Sequence, residues 1–239
     1  MKIALIGYGK MGKEIEKIAL DRGNEIVLKI DIDNPEELTV RNLQTADVAI
    51  EFTIPSSAVS NYQLCFEAGI PVVSGTTGWL DKMPQVHESC KKLNGTFFYA
   101  SNFSVGVNIF FALNRKLAQL MANRPEYKVE MQEIHHTQKL DSPSGTAITL
   151  AEGILDNIPT LTNWVNRATP NRRELGITSH RTGEVPGTHI MNYDSEVDSL
   201  QITHIANSRK GFALGAVLAA EFSFGKKGIL DMNNLLNIK

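Results

Sequence analysis

Lys2-Ile3-Ala4-Leu5-Ile6-Gly7-Tyr8-Gly9-Lys10-Met11-Gly12 decides how the first half of this 239-residue chain is read. A short run of mostly apolar residues has the content of a buried strand, and it leads straight into three glycines at the spacing G-x-G-x-x-G. Met11, Ile15, Ile18 and Ala19 follow at helical spacing, so the order is strand, glycine turn, helix. Gly7 permits the tight turn and Gly9 lets the backbone approach a pyrophosphate. Gly12 lets the helix lie close on the strand, with the anion at the helix N-terminus. A second strand, Glu25 to Ile30, ends in Asp31-Ile32-Asp33-Asn34, which puts carboxylates roughly twenty residues past the glycines, as ribose recognition requires. If the strand continues that far, its period of two points Asp31 and Asp33 to one side, and Asp33 lies nearer the mouth, so Asp33 is the expected ribose contact. Asn34 stands where an arginine would grip a 2′-phosphate. NADH and NADPH therefore both stay open as cofactors, with Lys10 or Lys13 as alternative cations.

Outward from this unit the alternation continues. An apolar strand spans Val48 to Phe52, a helix runs from about Ser56 to Ala68 and stops at Gly69, and a strand covers Pro71 to Ser74. Repeated strand-helix units imply a parallel sheet. Gly75-Thr76-Thr77-Gly78 lies just past one strand end. Ser101-Asn102-Phe103-Ser104 follows another strand, Thr96 to Ala100, and both turns are expected at the cofactor.

Near Phe103 the pattern changes. Val105 to Met121 reads as a helix with Val105, Ile109, Ala112, Leu113, Leu117 and Leu120 on its apolar face. Strands follow at Tyr127 to Ile134, Gly176 to Arg181, His189 to Tyr193 and Ser199 to Ala206, and Phe212 to Phe222 is again helical. The expected fold is α/β: a Rossmann-like parallel-sheet nucleotide domain, residues 1–103 and 209–239, and an α+β substrate-binding and oligomerisation domain with an open mixed sheet, residues 104–208. The uncovered face of that sheet points to oligomerisation through it. Thr160 to Glu174, carrying Arg167, Arg172 and Arg173, is the longest expected loop and a candidate mobile cover.

Composition narrows the function classes. A net charge of -2 provides no global field for nucleic acid or an anionic membrane, and 42% hydrophobic residues suffice for a substantial core. No apolar run reaches the length of a membrane span or a signal-peptide core, so a cytoplasmic protein is expected. Two cysteines, Cys65 and Cys90, offer neither a disulfide framework nor a thiolate metal site.

Glu133-Ile134-His135-His136-Thr137-Gln138-Lys139-Leu140-Asp141-Ser142-Pro143-Ser144-Gly145-Thr146-Ala147 concentrates the chemistry. Two imidazoles titrate near neutrality, and the lysine can donate a proton. On a strand the two histidines point to opposite sides, so they cannot be equivalent. Glu133 and Asp141 do not complete a zinc pattern, and no metal is expected. Ser142 reads as a helix N-cap with Pro143 at the first helical position, and Ser144-Gly145-Thr146 then offers free N–H groups to an anion. Apolar residues from Ala147 to Ile158 continue that helix until Pro159.

This segment closely resembles the signature of the dihydrodipicolinate reductases, also called 4-hydroxy-tetrahydrodipicolinate reductases, of the diaminopimelate route to lysine. Gly7 to Gly12, Glu51-Phe52-Thr53, Gly75 to Gly78, Ser101 to Asn108 and Ile202-Thr203-His204 through Ser208-Arg209 fall in the same family's order. The resemblance implies an oxidoreductase acting on CH or CH2 groups. NADH or NADPH would deliver hydride to C4 of a cyclic dicarboxylate after loss of water, and a proton would add to the neighbouring carbon. It implies His135 as acid/base residue and Lys139 as proton donor, with His136, Ser144, Gly145 and Thr146 contacting substrate and Arg181 as a second carboxylate contact. For the cofactor it implies Gly7, Tyr8, Gly9, Lys10, Met11, Gly12, Asp33, Gly75, Thr76, Thr77, Ala100, Ser101, Asn102 and Phe103. It further implies a homotetramer joined through the second sheet and a C-terminal helix returning to the nucleotide domain. Glu51 stands where aspartate is more usual, and Ser142 where alanine is common. An amino-acid dehydrogenase of similar two-domain plan is the competing enzymatic reading, and a nucleotide-sensing protein without turnover the non-enzymatic one.

Overall fold

The computed structural model describes residues 1–208 and 210–238; Arg209 of the Ser208-Arg209 motif and Lys239 lie outside the described residues. The chain forms two compact units, Met1–Val105 with Lys210–Lys239, and Gly106–Arg209.

The first unit is built on a parallel sheet of β1 (Lys2–Ile6), β2 (Glu25–Ile30), β3 (Val48–Glu51), β4 (Val72–Ser74), β5 (Thr96–Tyr99) and β11 (Gly228–Leu230), in the order β11-β5-β4-β3-β1-β2. Its first four helices are α1 (Lys10–Asp21), α2 (Val40–Leu43), α3 (Pro55–Ala68) and α4 (Met83–Lys92). Strand β1 shows why the sheet is buried on both faces: Ile3 and Leu5 enter one apolar cluster, Ala4 and Ile6 the other. The short helices α2 and α4 fall in stretches left without assignment by the sequence patterns. Gly69 ends α3 with φ +74°, the left-handed stop expected of it.

The second unit contains β6 (Lys128–His135), β7 (Asn163–Val165), β8 (Glu174–Arg181), β9 (Gly187–Asp194) and β10 (Ser199–Ala206), ordered β10-β9-β6-β8-β7. The sheet is mixed: β6 runs parallel to β8 and antiparallel to β9. Helices α5 (Val105–Met121) and α6 (Gly145–Leu155) carry the apolar side chains that pack on it, around Phe110, Ala118, Leu150, Ile154, Met131, Ile177 and Met191. Beyond it, α7 (Lys210–Ser223), β11 and α8 (Met232–Leu236) belong to the first unit, with Ala213, Ala216, Val217 and Ala220 in its core. Among the described residues no helix is long and apolar enough to cross a membrane.

Three sequence expectations need correction. The buried side of α5 is Val107, Phe110, Asn114, Ala118 and Met121, while Ile109, Leu113 and Leu120 are exposed. The helix is apolar nearly all round, so two faces satisfy the same period, and Asn114 is admitted to the core because its amide donates to Leu150 O at 2.9 Å. The segment Thr160 to Glu174 is not one open loop: β7 pairs with β8 at the sheet edge, and Arg172 donates to Pro125 O. Finally, the cap of α6 is Ser144, not Ser142. Its Oγ accepts from Ala147 N at 3.1 Å, the Ser142–Pro143 peptide is cis, and the helix ends at Leu155, well before Pro159.

Candidate functional site

In the first unit the glycine loop has the geometry its spacing predicts. Gly7 adopts φ +93°, and a Cβ there would lie 2.0 Å from Phe52 O; one at Gly12 would lie 2.3 Å from Gly7 O. Beside Gly9, by contrast, nothing lies within 4 Å of the Cβ position. Gly9 is the N-cap of α1 and supplies no side-chain cap, so the first N–H groups of that helix face open space. Lys10 is exposed there, and Met11 lines a cavity of about 320 Å³ together with Phe52, Thr53, Gly75, Thr76 and Thr77. The geometry suits a pyrophosphate: an uncapped helix start, a side-chain-free approach at Gly9 and a concave wall.

A buried carboxylate organises that wall. Glu51 accepts from Ser74 Oγ at 2.7 Å, Thr76 Oγ1 at 3.0 Å and Thr53 Oγ1, and Thr76 Oγ1 in turn accepts from Thr53 N at 2.8 Å. The Thr76 side chain, N–H and carbonyl and the Gly75 N–H are therefore all engaged within the protein, and Thr77 is the exposed part of this turn. Phe103 is likewise buried, its ring 5.6 Å from Phe52 and 5.9 Å from Phe98, and Asn102 Oδ1 accepts from Ser104 N. Ala100 is buried and Ser101 exposed. Tyr8 donates to Glu16, which pairs with Lys29 at 2.7 Å; Lys13, a candidate for a 2′-phosphate, sits 5.9 Å from the Tyr8 ring.

Asp33 rests on a premise the backbone does not meet. Strand β2 ends at Ile30, and Asp31 to Asn34 form a turn in which Asn34 Oδ1 accepts from Asp31 N at 2.7 Å and Asp31 Oδ1 from Ile32 N at 2.9 Å. The period of two thus does not carry to Asp33. Its carboxylate is nonetheless exposed just beyond the strand end, whereas that of Asp31 is engaged in the turn.

In the second unit, β6 alternates inward Val129, Met131, Glu133 and His135 with outward neighbours, so His135 is buried; the strand ends there, and half-buried His136 lies just past it. His136 lines a cavity of about 290 Å³ with Thr137, Gln138, Gly183, Glu184 and Pro186. The loop after β6 is held to the loop after β8 by Thr182 N on His135 O and Thr137 N on Gly183 O. Lys139 in that loop pairs with Asp141 at 2.8 Å, which draws the Asp141 carboxyl below its ordinary range.

Glu133 is the center of the inward cluster. Its carboxylate accepts from Ser144 N at 3.1 and 3.2 Å and from Arg181 Nη2 at 3.0 Å; His135 Nδ1 lies 3.5 Å away and His189 Nε2 3.8 Å. Burial pushes His135 down, against the opposing pull of Glu133, and pushes His189 down to about 4, with the neighbouring His135 adding to the effect. Both rings are held toward the neutral form.

These contacts sort the expected substrate residues. Ser144 N–H is bound to Glu133 and its hydroxyl caps α6, whereas Gly145 and Thr146 stand at the open first turn, with nothing within 4 Å of a Cβ on Gly145. Arg181 is not a free carboxylate contact: beside Glu133, its guanidinium donates to Lys139 O, Asp141 O and His180 O. Sequence reading missed Glu133 and His189 as members of the site. The period of two, which puts Glu133 beside His135, was the available signal for the first; nothing local marked His189.

Glu133, His135 and His189 are also the described residues whose donor atoms come close enough, within 4.8 Å, to hold a metal ion. Arg181 and Ser144 already occupy the carboxylate, and a guanidinium 3.0 Å away opposes a dication. A larger cavity of about 480 Å³, lined by Lys128, Arg173 and Tyr193, contains none of the expected site residues.

The family description "Dihydrodipicolinate reductase, N-terminus" matches residues 1–103, and "Dihydrodipicolinate reductase, C-terminus" matches residues 106–236. A 4-hydroxy-tetrahydrodipicolinate reductase of Christiangramia forsetii is 50% identical over 238 residues, 99% of this chain and 98% of the relative. The enzyme of the same name from Clostridium tetani is 32% identical over 251 residues, covering 99% and 97%. A dipicolinate-bound dihydrodipicolinate reductase from Paenisporosarcina sp. TG-14 has the same fold, with a TM-score of 0.79 at 24% identity over 100% of this chain and 99% of that one. An amine dehydrogenase from Mycobacterium smegmatis shares the fold at a TM-score of 0.60 and 12% identity, over 100% and 97%.

Proposed function

This chain belongs to the dihydrodipicolinate reductase family, and from that premise we propose that it reduces (2S,4S)-4-hydroxy-2,3,4,5-tetrahydrodipicolinate to tetrahydrodipicolinate with loss of water, in lysine biosynthesis. NADH or NADPH, when bound, supplies the hydride. One hydride goes to C4 of the dehydrated ring and one proton to the adjacent carbon, leaving oxidised nucleotide and water. The first unit is the dinucleotide-binding domain, with Gly7 to Gly12, Asp33, Gly75 to Thr77 and Ala100 to Phe103 as the cofactor contacts. The second unit binds substrate.

The observation that carries this reading is the clustering, within one unit, of a buried histidine, a lysine loop and an open helix start. One substrate carboxylate takes the free N–H groups of Gly145 and Thr146 and the positive end of α6. His136 and Lys139 offset the remaining charge, Lys139 exchanging Asp141 for the substrate. His135 is held neutral by burial in the free protein. A bound dianion reverses that balance, so the substrate itself charges the ring that then transfers the proton. Ser144 contributes by shaping the turn.

We also assign a homotetramer built on the second unit's sheet and a cytoplasmic location. Support for the assembly comes from the half-buried Ile134 and Ile190 on one face of the sheet and from exposed Leu200 and Ile205 on edge strand β10. Light scattering on purified protein tests it: four chains are expected, and a monomer at micromolar concentration contradicts it.

The activity is tested on the purified protein. Oxidation of NADH or NADPH should depend on the condensation product of pyruvate and aspartate semialdehyde, and should be absent with oxaloacetate plus ammonia. The opposite pattern would favour an amino-acid dehydrogenase.

A further inference from the structure

We propose that Glu133 is the positioning residue of this site: its buried carboxylate fixes the ring tautomer of His135 and, through Arg181, anchors the loop that carries Lys139. The proposal rests on the role given to His135 above and goes beyond it, because Glu133 is fully buried and bonded to Ser144 and Arg181, so it acts through other groups.

The geometry is that of a hub. Glu133 is fully buried at the end of β6, two residues from His135 on the same face. A buried carboxylate needs several donors to stay ionised, and it has Ser144 N–H on both oxygens and Arg181 Nη2 on one. Oε2 is the nearest acceptor to His135 Nδ1, at 3.5 Å, and that nitrogen is buried without a hydrogen bond of its own, so a small rotation of the ring would let it donate to Glu133. An Nδ1–H directed at Glu133 leaves Nε2 as the nitrogen with a free lone pair. On that side of the ring, position 187 is glycine; a Cβ there would sit 3.1 Å from Nε2, so glycine keeps the working nitrogen uncovered.

The second arm of the hub reaches Lys139. Arg181 Nη2 donates to Asp141 O at 2.6 Å and Nε to Lys139 O at 3.3 Å, so the guanidinium held by Glu133 holds the backbone on both sides of Leu140. One carboxylate thereby sets both groups expected to move protons.

The charged and titratable groups facing His135 are Glu133 from β6, His189 from β9, Arg181 from β8, and Lys139 and Asp141 from the loop after β6. Glu133 is the closest anion, and it favours the charged ring against burial and the two cations. Removing a charge at this range moves a pKa by roughly one unit, hence the protonated fraction about tenfold.

The test pairs spectroscopy with kinetics on the full-length protein. In protein labelled with 15N-histidine, assigned with His135→Gln, the parent should show His135 as the Nδ1–H tautomer near neutral pH. Glu133→Gln should mix or invert the tautomers, move the alkaline limb of kcat to lower pH by about one unit and lower kcat at neutral pH by about tenfold, with the Kd for NADH unchanged. Glu133→Asp should restore part of the limb. An Nε2–H tautomer in the parent overturns the proposal even if no variant folds. So does a Glu133→Gln enzyme that keeps the parent tautomer and loses activity by the same factor at every pH, which is what a purely structural role gives. A tautomer change with an unmoved pH limb supports the positioning and overturns the role assigned to His135, so the two failures are distinguishable.

Discussion

Acid should unfold this protein partly through one ring, His189. The residue is 4% exposed, its Nε2 lies 3.3 Å from Ser144 Oγ, and its ring centroid is 5.1 Å from that of His135. Burial, then the neighbouring His135, push its pKa from 6.5 to about 4. The unfolded chain therefore takes up a proton near pH 6.5, while the folded chain resists until about pH 4. In that window the unfolded state binds more protons, so stability falls as pH falls. The full depression sets a ceiling of about 3 kcal/mol, and at pH 5 the expected loss relative to pH 7 is about 2 kcal/mol. Urea unfolding at pH 7 and pH 5, followed by circular dichroism, measures this on the parent and on His189→Gln. His135 titrates in both proteins and largely cancels in the comparison. The parent should lose about 2 kcal/mol more than the variant over this interval. Equal losses would refute the reasoning, whatever the variant's absolute stability.

Lys139→Ala should lower kcat by about 10²-fold and leave nucleotide affinity unchanged, since only proton donation and substrate charge are lost; an unaffected kcat removes Lys139 from the mechanism. Gly12→Ala should weaken NADH binding at least about tenfold and lower Tm, because a Cβ 2.3 Å from Gly7 O forces α1 off the strand; unchanged NADH titrations would contradict the glycine-loop account. Binding of dipicolinate, a dianion, should be accompanied by proton uptake near neutral pH as His135 becomes charged, read by calorimetry in two buffers of different ionisation enthalpy. Buffer-independent heats would separate His135 from the diacid.

The first unit was legible in the sequence because its signals are local. A strand buried on both faces, a glycine turn and a helix each occupy a few adjacent residues, and Gly7 and Gly12 fulfil the steric roles their spacing assigns. Where reading went astray, the deciding partner was distant in sequence. The side of α5 that is buried depends on Leu150, far along the chain, which accepts the Asn114 amide. The cap of α6 moved from Ser142 to Ser144 because Glu133 captures Ser144 N–H. Strand β7 was hidden because three residues carry no period of their own and gain their hydrogen bonds only from β8.

The same distinction runs through the site. His135, His136, Lys139 and Gly145 stand within one short segment and could be read together. Arg181 and His189 reach that segment only through sheet pairing: His135 lies beside Arg181 in the β6–β8 register, and Glu133 beside His189 in the β6–β9 register. The sequence therefore left the role of Arg181 open beyond a candidate carboxylate contact, and the fold ties its guanidinium to the Glu133 carboxylate and to the carbonyls of Lys139, His180 and Asp141.

The central claim is that this protein transfers a nicotinamide hydride to C4 of the cyclic diacid. The most direct measurement follows deuterium from NADH labelled at the transferring position of nicotinamide C4, with the condensation product of pyruvate and aspartate semialdehyde as acceptor. One deuterium at C4 of tetrahydrodipicolinate, seen by NMR, is the predicted result. Label that stays on the nicotinamide, or that enters the product at any other carbon, would contradict it.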